Sequence, residues 1–138
     1  MNTELIEETW ESISGHHREL VRDFYGRLFN TYPEYAAYFD EETMQRQMDK
    51  MIQNMALMAK LGDNTTAVRP HLEKVGQVHS HMELSGEDFE RFSDLLIQVI
   101  GEYCQTYGGG WSEDCERAWT EAFQQVIMPH MMSGLQRH

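Results

Sequence analysis

Apolar residues recur along this chain at intervals of three and four, and no stretch alternates for long enough to make a strand. Leu5, Ile6, Trp10 and Ile13 mark a first helix, interrupted at Gly15-His16-His17. Leu20, Val21, Phe24, Tyr25, Leu28 and Phe29 form a broad stripe on a second, ending near Asn30-Thr31. Pro33 opens a short helical turn that closes at Tyr38-Phe39-Asp40, since a first turn does not need the N–H that proline lacks. A third helix is predicted from about Thr43 to Leu61, with Met44, Met48, Met51, Ile52, Met55 and Met58 on one face and Gly62-Asp63-Asn64 as its stop.

The next helix is predicted to begin beyond Pro70, carrying Leu72, Val75, Val78, His79 and Met82 up to the break at Ser85-Gly86. Ser85 followed by Asp88 has the form of a capping box and should open a helix lined inwardly by Phe89, Phe92, Leu95, Leu96, Val99, Ile100 and Tyr103. Gly108-Gly109-Gly110 ends it. From about Ser112 a last helix turns Trp119, Ala122, Phe123, Val126 and Ile127 inward, and Pro129 is expected to kink or end it late. The pattern is all-α, and without low-complexity stretches or repeats it reads as one domain over residues 1–138.

Composition narrows the function classes. Eleven basic against 23 acidic residues give a formal charge of −12, which repels a nucleic-acid backbone or an anionic lipid surface. No apolar run approaches the roughly 18 residues that cross a bilayer, and the acidic N-terminus is unlike a signal peptide, so membrane insertion is not expected and a cytoplasmic location is. Cys104 and Cys115 lack metal or redox spacing and are read as reduced thiols.

Of seven histidines, His79 is the best placed for chemistry. It follows Val75 and Val78 on an inward helical face, where an imidazole is costly unless it is ligated or hydrogen-bonded. Taken alone, such a histidine is more often a satisfied core residue than a ligand. His81 falls about 200° further round the helix and should face solvent. The methionine stripe is equally ambiguous by itself, because thioethers fill irregular cores as readily as they line a ligand.

Several positions read together decide more. The run Phe24-Tyr25-x-x-Leu28-Phe29-x-x-x-Pro33-Glu34-x-x-x-x-Phe39 resembles the B-helix, C-turn and CD-corner signature of bacterial single-domain globins and the globin domains of flavohaemoglobins. Gln45-Arg46-Gln47-Met48-Asp49-Lys50-Met51 looks like the distal E-helix of that family. His79 comes 32 positions after Gln47, where the family's proximal histidine belongs, and Trp119 matches a tryptophan common in the last helix.

The resemblance implies a globin fold, three helices over three, around a b-type haem with His79 on the iron and Tyr25 and Gln47 facing a bound gas. It also implies haem contacts from Phe29, Phe39, Lys50, Met51, Val78, Met82, Leu84, Phe92, Leu96 and Phe123. Lys50 is placed near a haem propionate, a role in which His71 is a weaker alternative and a solvated lysine the plain one. The chemistry is coherent: imidazole is a competent iron ligand, glutamine is not, and a phenol and an amide are both hydrogen-bond donors. Met51 or Met48 offers a thioether as a further axial ligand, although the relatives keep an apolar residue at the Met51 position.

The chain departs from the family at Phe89, ten positions beyond His79, where relatives carry a tyrosine in a hydrogen-bonded proximal network. That loss favours reversible binding of dioxygen, with CO and NO as competitors, over NO-dioxygenase or peroxidase-like turnover. The chain ends at His138, directly after the last predicted helix, so turnover of NO to nitrate is expected to draw on an external reductase. A gas-sensing or haem-free interaction module is the remaining alternative.

Overall fold

The computed structural model describes residues 2–61, 65–78 and 84–135. Every regular element among them is helical: α1 (Thr3–Ser12), α2 (His17–Thr31), a 3₁₀ turn (Pro33–Tyr38), α3 (Glu41–Leu61), α4 (Thr65–Val78), α5 (Gly86–Tyr107), α6 (Glu113–Ala122), a π turn (Phe123–Ile127) and α7 (Met128–Leu135). The packing pairs α2 with α5, α1 with α3 and α6, and α4 with α7, which gives the three-over-three crossing of helical runs.

Local chemistry explains most boundaries. Asn2 caps α1 by accepting the Leu5 N–H, and Ser112 caps α6 by accepting that of Cys115. The Ser85–Asp88 capping box forms in both directions at the start of α5. Between α1 and α2 the chain turns at Gly15, whose φ of +94° is a conformation glycine adopts without a Cβ penalty. His17 secures this corner by donating a ring N–H to the Trp10 carbonyl at 2.8 Å while stacking on the Trp10 indole.

The expectation at Pro70 needs correction, and of the two outcomes expected at Pro129, a kink or an end, the end does not occur. α4 begins at Thr65, five residues ahead of Pro70, which sits inside the helix. The carbonyl deprived of an intrahelical partner there is that of Thr66, the second residue of the helix. Pro129 lies inside α7, directly after the π turn, which lengthens the hydrogen-bond spacing just where the proline ring would press on the carbonyl four residues back.

The core runs along α2, α3, α5 and α6. Phe24, Leu20, Val21, Leu96, Val99, Ile100 and Trp119 are all within 1 % of complete burial. Trp119 joins α6 to α1, donating its indole N–H to Thr9 Oγ1 at 2.8 Å, while the Thr9 hydroxyl donates in turn to the Leu5 carbonyl. α4 and α7 approach backbone to backbone. A Cβ placed on Gly76 would collide with the Met131 carbonyl, and one on Gly134 with the Glu73 carbonyl.

Candidate functional site

A cavity of about 160 Å³ lies among α2, the 3₁₀ turn, α3, α4, α5 and the last helix. Its wall is mostly apolar: Leu28, Phe39, Met51, Met55, Met58, Leu72, Val75, Leu84, Phe89, Phe92, Phe123, Ile127 and Met131. Polar side chains enter at three places, as Tyr25 with Gln47, Tyr35 with Asp88, and Asn54.

The first pair is the most deeply placed. Tyr25 is 6 % exposed and hydrogen-bonds Gln47 across the gap between α2 and α3. Burial pushes its phenol up to about 12, with the Gln47 bond pulling weakly the other way, so the ring stays neutral and keeps its O–H at any physiological pH. Three aromatic rings hold Tyr25: Phe24 edge-on at 5.1 Å, Phe29 at 5.8 Å and Phe39 at 6.0 Å.

The second pair closes the wall between the 3₁₀ turn and α5. The Tyr35 hydroxyl donates to Asp88, which also accepts the Ser85 N–H at 2.8 Å, and Arg91 donates to the Tyr35 oxygen at 3.3 Å. Desolvation raises the Asp88 carboxyl, but the bonds from Ser85 and Tyr35 and the Arg91 charge outweigh it and hold the group below its ordinary value. The third polar group, Asn54, accepts a ring N–H from His71 at 2.9 Å and so links α3 to α4.

The cavity therefore brings together Tyr25, Phe39, Gln47, Met51, Leu84, Phe92 and Phe123 of the residues singled out in the sequence. Three others stand off its wall. Phe29 packs behind Tyr25 and Phe39, Leu96 is fully buried in the helical core, and Lys50 is exposed on the outer side of α3. Lys50 is three positions past Gln47, about 60° short of a full helical turn, which is enough to carry it off the cavity face. His79 and Met82 lie outside the described residues, and for Val78 the structure describes the backbone alone. His71 is tied to Asn54.

The structure adds lining residues that were not singled out for the site. Met55, Met58, Phe89 and Ile127 lay on stripes already drawn, so the stripe itself was the signal. Tyr35, Asn54 and Asp88 carried no such signal; Asp88 reads in sequence only as a cap. The π turn places both Phe123 and Ile127 in the wall and gives it two of its apolar contacts.

A greasy slot between crossing helices, with a neutral phenol and an amide on the α2–α3 side, is the kind of site that takes up an apolar ligand. The chemistry of its lining suits a flat apolar macrocycle, for which a cavity of about 160 Å³ would have to widen: four thioethers, Met51, Met55, Met58 and Met131, present adaptable surface, and among the described residues Asp88 is the one charged side chain on the wall. The profile of the globin family matches residues 22–129, and the chain belongs to that family. It is also 24% identical over 106 residues to a flavohaemoprotein of Vibrio cholerae serotype O1 (strain ATCC 39315 / El Tor Inaba N16961), a match covering 75% of this chain and 26% of that protein. The chain thus spans about a quarter of the length of that relative.

Proposed function

We propose that this globin holds a b-type haem through His79 and binds dioxygen reversibly, with CO and NO as competing ligands. The observation that carries the reading is the Tyr25–Gln47 hydrogen bond, made by two uncharged side chains within an otherwise apolar part of the wall. Haem, held through His79, would supply an iron that binds a diatomic gas. The side chains do the rest. Tyr25 and Gln47 offer donors to a ligand that gains partial negative charge, and such donors are strongest where water is excluded. Phe39 and Phe92 would supply aromatic contacts to the bound macrocycle, and the methionines would adapt to it.

Binding is favoured over turnover by the opposite wall. Phe89, Ile127 and Met131 border the cavity there, and none of them can accept a proton or carry charge. The resemblance puts a tyrosine of the relatives at the Phe89 position, as the partner that raises the basicity of the proximal imidazole, and a phenylalanine cannot serve in that role. The likeness to a flavohaemoprotein supports a second reading, oxidation of NO to nitrate with electrons from a separate reductase.

The test begins with colour. The purified chain should take up haemin with a Soret band that His79→Ala abolishes and His71→Ala retains. Tyr25→Phe and Gln47→Leu should each speed dioxygen release, on the order of tenfold or more for one charge-assisted hydrogen bond. A protein that stays colourless with added haemin overturns the proposal. NO consumption by the oxygenated protein, with and without a flavin reductase, separates storage from turnover.

A further inference from the structure

Phe29 belongs neither to the cavity wall nor to the fully buried core. It sits one helical turn after Tyr25 on α2, half-buried, and meets the Tyr25 ring at 5.8 Å and the Phe39 ring at 5.6 Å. Tyr25 and Phe39 are themselves 6.0 Å apart, edge to face, and both line the cavity. The three rings form a closed triangle with Phe29 at the corner away from the cavity. Phe39 stands in extended backbone just past the 3₁₀ turn, so α2 and the segment leading into α3 meet through this ring.

We propose that Phe29 is a positioning residue that fixes the direction of the Tyr25 hydroxyl, and thereby sets how strongly the site prefers dioxygen to carbon monoxide. The proposal rests on the gas-site reading above. A hydrogen bond depends steeply on angle, and a phenol's oxygen moves when its ring tilts about χ1 and χ2. Gln47 restrains the oxygen end of Tyr25, and Phe24, Phe29 and Phe39 restrain the ring. Phe24 is buried completely and cannot yield, and Phe39 rests in turn on Phe29. Removing the Phe29 ring frees one side of Tyr25 and loosens Phe39 together. A polar diatomic ligand loses its donor for part of the time, while an apolar one loses little.

Infrared spectroscopy of the ferrous carbon monoxide complex tests this, because the CO stretch reports the field of a nearby donor and is insensitive to fold stability. The parent should show one dominant band lowered by Tyr25. Phe29→Ala should split it, adding a second band where Tyr25→Phe absorbs. Dioxygen should leave Phe29→Ala about tenfold faster, the lower end for one charge-assisted hydrogen bond, with carbon monoxide release changed by roughly twofold or less. Phe29→Tyr, which keeps the ring, should return the parental spectrum, and Phe29→Leu keeps most of the volume should the alanine variant fail to fold. An unmoved band in Phe29→Ala or Phe29→Leu, beside a shifted one in Tyr25→Phe, overturns the positioning role alone. A band that Tyr25→Phe also leaves in place overturns the gas-site reading itself.

Discussion

The contact between α4 and α7 makes an unusually clear prediction, because it reverses the sign of a common stabilising change. Replacing glycine by alanine inside a helix ordinarily gains about 1 kcal/mol. Gly26, exposed on α2 with nothing within 4 Å of an added Cβ, should show that gain. Gly76 should not. Its Cβ would overlap the Met131 main-chain carbonyl, which belongs to a helix backbone and cannot rotate aside. Forcing the helices apart costs about 3 kcal/mol, the upper part of the range for overpacking, and leaves a net loss of about 2 kcal/mol after the propensity gain. For 138 residues, an unfolding entropy of about 2.1 cal/mol/K per residue makes each kcal/mol worth about 3 °C. Gly26→Ala should thus melt about 3 °C above the parent, and Gly76→Ala about 6 °C below it, followed by circular dichroism in matched buffer. Gly76→Ala melting at or above the parent, with Gly26→Ala behaving as expected, would refute the backbone-to-backbone packing of α4 on α7.

Thr9→Val removes the acceptor of the buried Trp119 N–H and should cost about 1–3 kcal/mol in urea unfolding, whereas Thr9→Ser should keep most of the stability. Asp88 gives a pH signature. Its carboxyl is lower in the folded chain than the ordinary aspartate value near 4, so its stabilisation is complete above that value and fades as pH falls through the lower folded one. Asp88→Asn should therefore be less stable than the parent at neutral pH and converge with it in strong acid, as read by denaturant midpoints across the acid limb; a constant gap down to low pH would contradict the assignment.

What could be read from the sequence was whatever is decided within a turn or two of helix. The Ser85–Asp88 box, the Ser112 cap and the methionine face of α3 are local, and each stands where periodicity and capping chemistry put it. Pro70 misled because proline favours a first turn, and the turn that matters had already begun at Thr65. The π turn was invisible, since over five residues the apolar spacing of Phe123 and Ile127 is the same for either helix type. Tyr35, Asn54 and Asp88 reach the cavity through the crossing of distant helices, which a single sequence does not display. Phe29 and Leu96, on the stripes, and Lys50, placed by resemblance, all stand off the cavity wall. A helical face is broad, and its edge residues meet a neighbouring helix or solvent instead of the ligand slot.

The last helix ties these observations together. A straight α-helix through Pro129 would lose a hydrogen bond and press proline's ring on a carbonyl; the π turn absorbs that conflict within Phe123–Ile127. The same turn puts Phe123 and Ile127 into the cavity wall, and the stretch beyond it carries Met131 into the wall and Gly134 against α4. One irregularity thus sets both the apolar character of the wall facing Tyr25 and Gln47 and the close seating of α4, the helix that His79 follows by one residue in the sequence. Pro129→Ala should release the constraint that favours the wide turn. If the lining depends on it, that variant should bind haemin more weakly than the parent while gaining helix stability, a combination that simple loss of packing does not produce.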